Sequence, residues 1–117
     1  MSDVFLVLST FPNPEQARQI GTALVERQLA ACVNLIPAVE SIYRWQGKVE
    51  TAAEILAIFK TSIAAYPTFQ QVLAEMHPYE VPEIIALNPA EIAAPYRDWL
   101  LGAAAATTPA AEPPPAA

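Results

Sequence analysis

The feature that most limits the fold is a pair of long β-rich runs, residues 31–45 and 48–61, separated only by Gln46-Gly47. So short a connection predicts an antiparallel hairpin, and Gly47 tolerates the positive φ that a tight turn demands. The arms exceed the usual strand length of about 3–10 residues. At about 3.3 Å per residue such a ribbon overhangs a small domain. Pro37 has no amide proton to give a ladder, so it is expected at an edge or a bulge. Ile55-Leu56-Ala57-Ile58-Phe59 is apolar at odd and even positions alike, so both faces of the sheet must be covered there. Helices of the same chain can cover one face. Something else must cover the other.

The rest of the chain supplies the helices. Val4-Phe5-Leu6-Val7-Leu8 reads as a buried strand. Asn13 then offers a cap, Pro14 suits the first helical position and Gln16 completes a capping pair, which starts a helix running to about Leu29. Residues 67–76 predict a second helix, with Phe69, Val72, Leu73 and Met76 at three- and four-residue spacing. His77-Pro78-Tyr79-Glu80-Val81-Pro82-Glu83 is a loop stiffened by its prolines. A short strand over residues 84–87 and a helix over 89–101 follow. The order β-α-β-β-α-β with a C-terminal helix predicts an α+β, ferredoxin-like fold: an antiparallel sheet with helices on one face, the other free for association. The domain is expected to occupy residues 1–102. Residues 103–117 are mostly alanine, threonine and proline and are expected to be a disordered tail.

Charge and cysteine usage narrow the function classes. Twelve acidic against six basic residues give a net charge of −6, which repels nucleic acid and anionic lipid. No apolar run reaches membrane-span length, and the start MSDVFLVLST lacks the basic region of a signal peptide. A single cysteine, Cys32, makes no intrachain disulfide. The cytoplasm is the expected location. A hydrophobic fraction of 54% is high for so small a domain and again favours association with copies of itself.

Several spaced segments together resemble one known family. Glu26-Arg27-Gln28-Leu29-Ala30-Ala31-Cys32-Val33-Asn34, Pro37, Ser41-Ile42-Tyr43-Arg44-Trp45-Gln46-Gly47-Lys48, Glu54, Lys60-Thr61, the His77–Glu83 loop, Tyr96 and Trp99 are similar to CutA, the divalent-cation tolerance family. The resemblance covers nearly everything except the tail. It implies a non-enzymatic homotrimer with long hairpins lining the contacts between subunits, and a part in the response to divalent metals. Copper binding is implied for some members. The architecture is similar to PII signalling trimers, and that likeness implies an alternative role: holding a small metabolite in clefts between subunits. Two departures bear on copper. Some CutA members carry a cysteine where this chain has Ser9 and a second histidine where it has Met76, and losing both argues against tight binding.

Two constellations are candidates for chemistry. His77, the only histidine, suits copper or zinc, with Glu80 and Glu83 nearby and Cys32 as a soft donor. Beside that stand plainer roles: His77 closing the second helix, Cys32 buried and inert. One histidine per chain cannot complete a four-ligand zinc site alone. Tyr43, Trp45, Lys60, Tyr79, Glu83 and Trp99 form the second set, suited to a small anionic or organic ligand or to subunit packing. Lys60 ends an apolar run and is expected to pair with Glu54 or Glu83. Glycine-rich phosphate loops, paired-histidine metal motifs and supported catalytic triads do not occur, so no enzyme activity is expected.

Overall fold

A computed structural model describes residues 3–106. It runs β1 (Val4–Phe11), α1 (Pro14–Glu26), β2 (Cys32–Trp45), β3 (Lys48–Ser62), α2 (Tyr66–Met76), β4 (Ile85–Leu87) and α3 (Ala94–Ala103). The strands form one sheet in the order β2-β3-β1-β4, every neighbouring pair antiparallel, which is the expected ferredoxin-like arrangement.

Local chemistry explains each boundary. Asn13 Oδ1 accepts from the Gln16 amide at 2.8 Å, and Asn13 Nδ2 donates to Gln16 Oε1 at 2.9 Å, so the capping pair starts α1 as expected. The helix stops at Glu26, short of the expected end. Gln28 turns left-handed (φ 58°), the Leu29 amide bonds back to the Leu24 carbonyl, and Gln28 N–H bonds to Val25. That is a Schellman close, which usually employs glycine. Gln28→Gly should therefore raise stability by about 1 kcal/mol in a denaturant titration, by removing the Cβ penalty of the left-handed conformation. Gly21 in α1 permits close approach to β2, since a Cβ there would stand 3.0 Å from Val33 Cγ1.

The hairpin turns through Gln46 and Gly47, both at positive φ (49° and 80°), between the paired Trp45 and Lys48. This is the type I′ pattern, whose twist matches the flanking strands. Pro37 sits on the edge strand β2 and in a bulge: the ladder skips from Ile36↔Leu56 to Val39↔Glu54, with Ala38 left-handed at φ 61°. Because β1 ends opposite Ile55, the seven pairs from Val39↔Glu54 to Trp45↔Lys48 continue as a two-stranded arm. The arm is about 23 Å long.

Strand alternation sorts the sheet into two faces. Val7, Phe11, Ala57 and Phe59 pack under α1 and α2 with Ile20, Leu24, Phe69 and Leu73, all fully buried or nearly so. Leu6, Leu8, Leu56 and Ile58 point to the other face and are half-buried, while Ile36, Ile85 and Leu87 there remain 40–48% exposed. α3 covers a corner near the start of β1, where Leu100 and Ala104 bury Val4 and Ala31. Helix α3 begins at Ala94 rather than at residue 89, with Pro95 in its first turn. The described fold also outlasts the expected domain end. Ala104 is 1% exposed, and the Ala106 amide donates to the Gln28 carbonyl at 3.1 Å. Residues 103–106 thus belong to the folded body, and the remainder of the expected tail, 107–117, lies outside the described residues.

Candidate functional site

The loop after α2 builds the site. Pro78 forces His77 into an extended conformation (φ −68°, ψ 136°), which ends the helix and turns the imidazole inward. The ring stacks on Phe11 with centroids 4.6 Å apart and planes at 17°. Its two nitrogens are both engaged: Nδ1 accepts from the Tyr79 amide at 3.0 Å, and Nε2 lies 2.8 Å from the Thr10 carbonyl. An amide can only donate, so Nδ1 is the acceptor and Nε2–H donates to Thr10. This is the neutral imidazole. Burial holds His77 below its ordinary pKa, against the Thr10 bond and the Glu54 charge, which pull upward.

The ring in turn aims Tyr79. Its hydroxyl donates to Glu54 Oε2 at 2.5 Å, tying the loop to the root of the hairpin arm. Burial, and next the bond to Glu54, push the Tyr79 phenol far above its usual value, so it remains a donor. Glu54 is 9% exposed, an unusual degree of burial for a carboxylate. The bulge matters here. Beyond it Tyr43 and Trp45 share a face with Val39 and Glu54, whereas an unbulged strand would turn them to the helix side with Val33 and Leu35. The outcome is a cleft of about 470 Å³ that gathers Thr10, Tyr43, Trp45, Glu54, Tyr79, Glu80 and Glu83.

This arrangement joins some expected residues and separates others. Tyr43, Trp45, Tyr79 and Glu83 come together as expected, and Glu80 joins them. Lys60 does not. It shares the Glu54 face but lies six residues along β3, about 20 Å away, so the expected carboxylate pairing gives way to the Tyr96 ring, 5.6 Å from its ammonium. Among the described residues no lysine or arginine lines the cleft. Trp99 is elsewhere too, in a groove of about 460 Å³ with Arg18, Val25 and the half-buried Cys32. Cys32 pairs with Lys60 while Phe11, beneath His77, pairs with Ile55, so thiol and imidazole stand at opposite ends of the sheet. Among the described residues no three His, Cys, Asp or Glu side chains are grouped to hold a metal ion. Met76 packs against the main core. Ser9 is fully buried, and its hydroxyl has no hydrogen-bond partner among the described residues.

Glu54 and Thr10 were not among the expected cleft residues. A signal for Glu54 exists: it is a lone carboxylate entering the Ile55–Phe59 apolar run. Thr10 carries none, because its contribution is a backbone carbonyl and a place in the register.

Comparison with known proteins finds relatives over most of the chain. A family model described as CutA1 divalent ion tolerance protein matches residues 5–103. The divalent-cation tolerance protein CutA of Thermus thermophilus is 50% identical over 95 residues, 81% of this chain and 92% of that relative. Protein CutA of Mus musculus is 45% identical over 91 residues, 78% of this chain but 51% of its own length. The crystal structure of CutA from Xylella fastidiosa superposes with a TM-score of 0.85 at 39% identity, covering 87% of this chain and 98% of that one. The chain therefore spans nearly all of the bacterial relatives and about half of the mouse one.

Proposed function

The chain belongs to the CutA1 divalent ion tolerance family, and from that membership we propose that it serves divalent-ion tolerance without catalysis, as a homotrimer closed through the sheet face that α1 and α2 leave open and α3 covers only at a corner. The single observation that carries this reading is that face, where Leu6, Leu8, Leu56 and Ile58 are only half-buried and Ile36, Ile85 and Leu87 are exposed. Fully burying an aliphatic side chain contributes about 1.5–3 kcal/mol, so several on one surface favour association. Sedimentation velocity at micromolar concentration is expected to give three times the 12.6 kDa chain mass. A folded monomer at that concentration would overturn the assembly.

In this reading direct copper contact is weak and lies at the acid rim of the cleft, at Glu80 and Glu83. His77 commits both nitrogens inside the fold, and Cys32 stands far from it. Calorimetry against Cu(II) should show weak heats that fall in Glu80→Gln and Glu83→Gln and persist in Cys32→Ser. Tight binding lost in Cys32→Ser would move the metal to the other end of the sheet. We place the protein in the cytoplasm, consistent with its unpaired thiol. Among the described residues no helix is long and apolar enough to cross a membrane.

A further inference from the structure

We propose that His77 is an acid-released latch: its neutral imidazole pins the following loop, residues 78–83, to the body of the subunit, and uptake of one proton frees that loop while the sheet and helices stay folded. The loop hangs on few bonds. Among the described residues, 78–83 make two hydrogen bonds, both through Tyr79: its amide donates to His77 Nδ1 at 3.0 Å and its hydroxyl to Glu54 Oε2 at 2.5 Å. Pro78, Glu80 and Val81 are exposed, Val81 at 69%. A segment with so little burial and so few bonds opens at a much lower free energy than the core beside it. Of the two bonds, the one to His77 is the one that a single proton on the ring can remove.

The ring is wired so that the proton acts on the loop. Nδ1 needs its lone pair to accept from the Tyr79 amide, whereas Nε2–H donates to the Thr10 carbonyl in either charge state. A proton on Nδ1 therefore sets two N–H donors against each other at that contact and leaves the Thr10 bond standing. The stacked Phe11 face accepts a cation without penalty. The disturbance falls on the loop, not on β1. Four groups face the ring: Phe11 and the Thr10 carbonyl from β1, the Tyr79 phenol from the loop with ring centroids 4.9 Å apart, and the Glu54 carboxylate from β3. Glu80 and Glu83 line the adjoining cleft. The Glu54 charge favours the proton and burial opposes it more strongly, so the latch is closed above the ordinary histidine value of 6.5 and opens below it. Every one of these partners belongs to the same chain, so the latch works within each subunit.

The test is hydrogen exchange read by mass spectrometry on the full chain at about pH 7.5 and about pH 5, corrected for the intrinsic exchange rate at each. The expected result is an opening equilibrium at least about tenfold larger in acid for peptides covering 78–83, with peptides from β1, β3 and α1 unchanged. His77 is the only histidine, so the ring signals of an isotope-labelled chain report its charge without ambiguity. They should show a neutral ring at the higher pH and a protonation that keeps step with loop opening. In His77→Asn, whose amide oxygen accepts from the Tyr79 amide at every pH, loop exchange should be the same at both. The ring signals keep the test decisive if circular dichroism shows that variant to be unfolded. A loop unmoved by acid, loop and β3 peptides opening together, or ring titration out of step with the loop would each overturn the latch. So would an undiminished acid response in a folded His77→Asn, which would assign the effect to Glu54, Glu80 or Glu83.

Discussion

Ile58→Lys is expected to convert the assembly into folded monomers. Ile58 stands mid-face on the inner strand β3, paired with Leu8 on one side and Asn34 on the other. A single subunit tolerates the change, because a lysine stem can lie along apolar surface while its ammonium reaches water. An assembly closed over that face does not, since each copy would bury an unpaired charge. A loss of about 4 kcal/mol per contact corresponds to roughly a thousandfold weaker association. Sedimentation velocity should show one chain mass, with an unchanged far-ultraviolet circular dichroism spectrum. Retention of the native mass would place the contacts elsewhere, on the arm or along the β2 edge.

The second large effect is expected at His77. His77→Ala removes a buried ring stacked on Phe11 and two hydrogen bonds, to the Thr10 carbonyl and the Tyr79 amide. The cost should be about 3 kcal/mol in a denaturant titration, the sum of a cavity and unsatisfied backbone groups. The pH dependence has a definite sign. Burial lowers the folded-state pKa below the ordinary value of 6.5, so the unfolded chain takes up the proton first. The native chain should hold the full His77 contribution above that value and lose it progressively as pH falls below it. The variant should lack this part of the slope. Equal slopes in both proteins would show that the imidazole is not held neutral.

Where signals were local, the sequence was readable. The Asn13-Pro14-Glu15-Gln16 start of α1, the Gln46-Gly47 turn and the placement of Pro37 each depend on a few adjacent residues, and each stands in the structure as expected. Boundaries failed where two local signals competed. Pro89 and Pro95 both offer a helix start, and a helix begun at 89 would hold Pro95 in its interior, at about 3 kcal/mol; the helix starts at Ala94. Gln28 takes a left-handed close that composition assigns to glycine, so α1 ends early. The cleft was half legible for a related reason. Parity puts Lys60 and Glu54 on one face, but the six-residue spacing between them, countable in the sequence, already amounts to about 20 Å of strand rise and forbids the pairing. Cys32 and Trp99 meet in their own groove because α3 folds over a corner, a tertiary decision that periodicity does not encode.

The bulge at Pro37-Ala38 makes the arm sensitive to its length rather than to its spelling. Substitutions at exposed positions such as Ile42 or Val49 leave the orientation of Tyr43 and Trp45 untouched. Losing or gaining one residue between Ile36 and Tyr43 would rotate both rings to the opposite side of the ribbon, leaving Glu54 facing solvent without them. An extra residue at the tip, beyond Trp45, would spare their facing altogether. The solvent-exposed arm, which looks like the most permissive part of the molecule, therefore carries a counting rule on the segment before Tyr43.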